Sequence, residues 1–119
     1  MKETVRLLKQ HEVKICAHPG YCDKENFGRV SVNCSREDLS KLIGNQVRLL
    51  SDICQLDRLK LSAIKPHGAL YHDMMHNKGG MVRDVLVSLA KEYKVPLVVQ
   101  AGFEDVEWGI DVLLSLIHI

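Results

Sequence analysis

Apolar residues recur at three- and four-residue steps through Leu39, Leu42, Ile43, Gln46, Val47, Leu50, Ile53 and Cys54. That period predicts a long amphipathic helix. Ser35 opens it, with Asp38 three residues on in a capping-box position. A second stripe, Met81, Val82, Val85, Leu86, Leu89 and Ala90, follows a Gly79-Gly80 break and predicts another helix. Val5 and Leu8 against Lys2, Glu3, Arg6 and Lys9 predict a helix over Met1 to Gln10 that starts without a cap. Short apolar runs at Val13–Ala17, Leu61–Ile64 and Val95–Val99 predict strands, the last with Pro96 near its start, where proline is tolerated. Ala69 to Met75 reads as a helical turn, and Glu104 to Leu113 as the opening of a further helix with acids near its positive end. Helices alternating with strands predict βαβ units and a parallel sheet, hence an α/β fold.

Chemistry concentrates where strands end. Lys65-Pro66-His67-Gly68-Ala69-Leu70-Tyr71 follows one predicted strand and His18-Pro19-Gly20-Tyr21 follows another. Pro66 cannot donate to a sheet and holds Lys65 extended, so the strand ends there. Gly68 permits a sharp turn or a ligand's close approach. Ligands of α/β proteins lie at the carboxyl ends of the strands, so His18, Arg29, Lys65, His67 and Gln100 are expected to converge on one face. The polar stretch from His18 to about Cys34 is long for a strand-to-helix connection, a length usual for functional loops.

Composition narrows the class. The 119 residues are 46% hydrophobic and 26% charged with a formal net charge of +1, the profile of a globular domain. No Lys/Arg block marks a nucleic-acid footprint, and no apolar run reaches the roughly 20 residues of a membrane span. Cys16, Cys22, Cys34 and Cys54 form no C-x-x-C pair and suggest a reducing, cytoplasmic setting. Cys16 and Cys54 fall at apolar positions and are expected in the core.

Ala17-His18-Pro19-Gly20-Tyr21, then Phe27-Gly28-Arg29, Gln46 and Lys65 to Tyr71 together resemble the LamB/YcsF family over roughly residues 1 to 103. Cys16, Cys22, Asn26 and Val30 depart from the family's usual Gly, Pro, Gly and Arg, while His18, Asp23, Arg29, Lys65 and His67 stand in place. The resemblance implies a partial irregular (β/α) TIM-like barrel of the deacetylase-related type over residues 1–113. Such barrels need about 250 residues, so a chain of this length is expected to lack the N-terminal and C-terminal parts and to be inactive alone. Leu114-Ser115-Leu116-Ile117-His118-Ile119 reads as the translation of a transposon end used in sequencing libraries, so residues 114–119 are expected to be an artefactual tail.

The activity implied is the opening of 5-oxoproline to glutamate coupled to ATP hydrolysis, with magnesium accompanying the ATP, alongside B- and C-type partner subunits. In that reading His18, Lys65 and His67 are catalytic, Asp23, Arg29 and Tyr71 bind substrate, and Lys65 and Gly68 meet the nucleotide. Phosphorylation of the lactam oxygen would make its carbon electrophilic. Lys65 is a point charge suited to phosphate, Arg29 a planar fork suited to a carboxylate, and the imidazoles titrate near neutrality. The alternatives are a metal-dependent deacetylase-like carbohydrate hydrolase, with His18 as the candidate ligand, and a small-molecule-binding fragment without turnover. His72 and His76, four apart as in a zincin helix, are expected to be exposed histidines without a third ligand.

Overall fold

The computed structural model describes residues 1–11, 13–21, 25, 34–76, 80–101, 108 and 110–115. In chain order the elements are α1 (Lys2–Gln10), β1 (Cys16–Ala17), α2 (Arg36–Leu56), β2 (Ala63–Ile64), α3 (Gly68–His76), α4 (Met81–Tyr93), β3 (Leu97–Gln100) and β4 (Val112–Ser115). Among the described residues the strands form one parallel sheet of four in the order β1-β2-β3-β4. Parallel strands in sequential order with right-handed crossovers place successive helices on the same face. The helices accordingly pack on one another, α1 on α2 and both α2 and α3 on α4.

The register shows which face they cover. Ala17 pairs with Ile64, Ile64 with Leu97 and Leu97 with Val112, and bridge partners in a sheet point to the same side. Ile64, Leu97 and Val99 are fully buried on that side. Each such side chain stabilises the fold by about 1.5–3 kcal/mol. From the helices come Leu39, Ile43 and Val47 of α2, Leu70 and Met74 of α3, and Leu86 of α4. The opposite side carries Cys16, Val98 and Leu113, exposed or half-buried, and the small, buried Ala63.

The long helix is capped as its sequence requires, since the Ser35 side chain accepts a hydrogen bond from the Asp38 backbone N–H at 3.1 Å. An oxygen in that position satisfies an otherwise orphaned donor. Its predicted stripe is the buried face, with Leu39, Ile43, Val47 and Cys54 inside and Leu42, Leu50 and Ile53 packed at the margin.

Other expectations need correction. Cys16 is exposed rather than a core filler, because the strand's alternation gives the inward position to Ala17. The helix expected over Glu104 to Leu113 does not include its last residues, since Val112 and Leu113 open β4 and pair with Leu97 and Val98. A short apolar run is ambiguous between helix and strand by periodicity alone. Residues 104–107 lie outside the described residues. The strands are also shorter than their apolar runs, and Val13 is exposed. Leu114 and Ser115 pair with Val99 and Gln100, whereas residues 116–119 lie outside the described residues.

Candidate active site

β1 and β2 run side by side and in the same direction, so the residues that follow them emerge together. The Lys65 N–H donates to the Ala17 carbonyl at 2.8 Å and the His67 N–H to the Pro19 carbonyl at 2.7 Å, extending the pairing past the strands. Pro66 is buried between them. Gly68 begins α3 at φ 54°, the left-handed region that a side chain disfavours. This fixes where the chain turns from strand to helix and leaves His67 at the helix's amino end.

His18 and His67 meet there. His18 Nε2 lies 3.0 Å from His67 Nδ1, with ring centroids 4.9 Å apart and nearly perpendicular. His18 Nδ1 lies 2.6 Å from the Lys65 carbonyl oxygen. A carbonyl only accepts, so His18 Nδ1 carries the proton and donates. In the neutral pair His18 Nε2 is then an acceptor, and His67 Nδ1 must donate to it. The tautomers are thereby set along the chain Lys65 carbonyl, His18, His67, and the lone pair of the neutral pair falls on His67 Nε2. Although His18 is solvent-accessible, the atoms around its ring hold its pKa below the usual 6.5. The hydrogen bond to the Lys65 carbonyl works the other way, and the charges of His67 and Lys65 lower it further.

Residues 18–21 are tied down one after another. Gly20 forms a two-way clamp with the Gln46 side chain of α2, its N–H donating to Oε1 at 3.1 Å and its carbonyl accepting from Nε2 at 2.9 Å. A Cβ at Gly20 would lie 3.3 Å from His67 Cβ and Cδ2, so the glycine lets the loop backbone close onto the imidazole. Tyr21 is buried, and its hydroxyl donates to Oδ2 of the buried Asp73 on α3. Burial, then that hydrogen bond and the charge of Asp73, push the Tyr21 pKa upward.

Among the sequence-derived candidates, His18, Lys65, His67 and Gly68 come together here. Tyr71 is 2% exposed and packs into the core from α3. Gln100 ends β3. Asp23 and Arg29 lie outside the described residues. His72 and His76 are exposed on α3 with rings 4.3 Å apart, and no group of three or more His, Cys, Asp or Glu side chains able to hold a metal occurs among the described residues. Gln46, Gly20 and the Tyr21–Asp73 bond were not among the expected site contacts. Their signal was an Asp inside the apolar run of α3, with nothing local to name its partner.

A cavity of about 320 Å³ opens beside His18, between Cys16, Pro19, Gln46 and Leu50. A larger one, about 670 Å³, lies at the amino ends of β3 and β4 around Pro96 and Asp111, the end of a parallel sheet that does not ordinarily carry ligands. None of the described helices is long and apolar enough to cross a membrane.

Comparison with known proteins shows the family and the fold. Residues 1–116 match the model of the LamB/YcsF family. The A subunit of the 5-oxoprolinase of Vibrio campbellii is 38% identical over 105 residues, 88% of this chain and 41% of that protein. Its namesake in Pseudomonas fluorescens is 38% identical over 101 residues, 85% of this chain and 40% of that one. The crystal structure of a lactam utilization protein from Thermus thermophilus superposes with a TM-score of 0.81 at 33% identity, covering 95% of this chain and 47% of that chain. This chain therefore spans about two fifths of the length of these curated relatives. Its parallel β/α units are those of a TIM-like barrel, and the chain belongs to the LamB/YcsF family.

Proposed function

We propose that this chain supplies the proton-handling part of a 5-oxoprolinase, which opens 5-oxoproline to glutamate at the expense of ATP. The observation that carries the reading is the hydrogen-bonded His18–His67 pair at the carboxyl ends of adjacent strands, with the Lys65 backbone holding its tautomer. The relatives named as A subunits of 5-oxoprolinase supply the substrate class.

A lactam resists water because its nitrogen donates into the carbonyl. Transfer of the γ-phosphoryl group of ATP to the lactam oxygen removes that protection and releases ADP. Water then adds to the ring carbon and gives up a proton. The C–N bond breaks with protonation of the nitrogen, and a second water displaces phosphate from the acyl carbon to leave glutamate. His67 Nε2, the basic nitrogen of the neutral pair, takes the proton of the attacking water, and His18 delocalises the charge that results. Groups in such positions accelerate proton transfer by about 10²–10⁴-fold. Lys65 stands on the loop that leads into α3 (Gly68–His76), and its ammonium would meet phosphoryl oxygens at the amino end of that helix, where the backbone N–H groups also favour an anion. Magnesium would arrive with the nucleotide. Arg29 and Asp23 would contact the substrate, and B- and C-type subunits would complete the enzyme.

The test is turnover of 5-oxoproline with ATP by the full-length protein and its partner subunits, with and without a chelator strong enough to remove tightly bound transition metals while magnesium is kept in excess. ATP-dependent glutamate release that survives the chelator is expected. Hydrolysis of an acetylated sugar without ATP, abolished by the chelator, would replace this reading by the deacetylase one.

A further inference from the structure

We propose that Tyr21 and Asp73 are positioning residues for the His18–His67 pair: their buried hydrogen bond locks the loop behind His18 to the helix that follows His67. The inference rests on the reading of that pair as the proton-handling centre. Residues 18–21 and 67–73 meet at successive points, through the two imidazoles, through the Pro19 carbonyl and His67 N–H, and through Tyr21 and Asp73. The outer bond crosses 52 residues of sequence and the imidazole bond 49, so the two lie like parallel rungs between the same rails.

The reason for a polar rung is its direction. Asp73 is 2% exposed and Tyr21 7%, and burial of polar groups is unfavourable unless they are bonded. An apolar pair would fill the same space but would tolerate sliding, whereas a hydrogen bond fixes both distance and angle. β1 has two residues, too short a strand to hold His18 in place unaided. The bond between imidazoles in turn depends on a nitrogen-to-nitrogen separation of 3.0 Å. A small slide of the loop would lengthen that bond and turn the two rings relative to each other. The upward push on the Tyr21 pKa keeps the phenol a donor throughout the neutral range.

The decisive variant replaces both partners, Tyr21→Phe with Asp73→Leu, in the full-length protein. Exchanging two bonded groups for apolar ones of similar shape can be nearly neutral for stability, so folding and positioning separate. Two measurements are made: ring-nitrogen NMR of His18 and His67 without substrate, which reports each tautomer, and kcat against KM for 5-oxoproline. The expected result is a folded protein whose His18 and His67 ring signals move away from those of wild type, with kcat lowered about tenfold or more and KM little changed, as a small misplacement of a catalytic group produces. Asp73→Asn, which keeps an acceptor, should retain the wild-type ring spectrum. A folded double variant with wild-type ring signals overturns the proposal. So does one that fails to fold, since the bond would then serve the fold as a whole. Were the wild-type protein to show no turnover of 5-oxoproline, the functional reading would fall while the ring spectra still decided the positioning role.

Discussion

His18 Nε2 and His67 Nδ1 stand 3.0 Å apart although 49 residues separate them along the chain. Two imidazoles at that distance share one hydrogen, and a second proton placed on the pair meets the charge of the first as well as that of Lys65. In the proposed reading His18 is the fixed member of the pair, held by the Lys65 carbonyl, and His67 the one that exchanges a proton with the reacting water.

That division of labour makes His67 and Lys65 the most sensitive positions. His67→Ala and Lys65→Ala in the full-length protein should each lower ATP-coupled 5-oxoproline opening by about 100-fold or more, on the order of 3 kcal/mol. Thermal midpoints should remain near wild type. Activity within a few-fold of wild type in either variant would return that residue to a turn-forming role.

Gly20→Ala should injure activity more than stability. The new Cβ meets His67 Cβ and Cδ2 at 3.3 Å, so the imidazole must yield by a few tenths of an ångström while Gln46 holds the loop from behind. A fall in kcat of roughly tenfold with a midpoint shift of a few degrees is expected. A crystal structure of the variant with the two rings unmoved would contradict it.

Acid should weaken the fold through His18. Its folded pKa lies below the ordinary 6.5, so the unfolded chain takes up the proton first as pH falls. Stability is unaffected by this group well above 6.5, declines as pH drops through that value, and levels off below the folded pKa. Lys65 and His67 face the ring and oppose its charging. Urea midpoints compared at about pH 7.5 and about pH 5.5 should fall more steeply for wild type than for His18→Gln. Equal slopes would count against the assignment.

Lys94 closes α4 at φ 55°, in the left-handed region where a side chain is disfavoured and glycine is usual. Lys94→Gly should stabilise the protein by roughly 0.5–1 kcal/mol, and Lys94→Val should destabilise it. Chemical denaturation of the two variants gives the sign directly.

Much of this was readable from residue order. The stripe of Leu39, Ile43 and Val47 is the buried face of α2, and two strand-ending loops that each hold a proline and a histidine do meet. What the order of residues could not supply was partnership at a distance. Asp73 lies in an otherwise apolar run and Gln46 among the leucines of α2, and nothing local tells that one reaches Tyr21 and the other Gly20. Nor does a two-residue strand announce which side faces inward, so Cys16 was expected in the core that Ala17 occupies. At Val112 and Leu113 a short apolar run fits helix and strand alike, and periodicity does not separate them.

The strand pairings also differ in how much chain each must close. Leu97 finds Val112 after a short excursion, Ile64 finds Leu97 after a longer one, and Cys16 reaches Ala63 only across the whole of α2. Closing a loop costs about 0.6 kcal/mol more for each doubling of its length, so the sheet should assemble from β3–β4 toward β1. The two imidazoles would then be the last groups to meet during folding and the first to part under mild denaturant. Catalytic competence would be lost while α4 and its strands still hold, so an activity assay would report partial opening before any spectroscopic sign of unfolding.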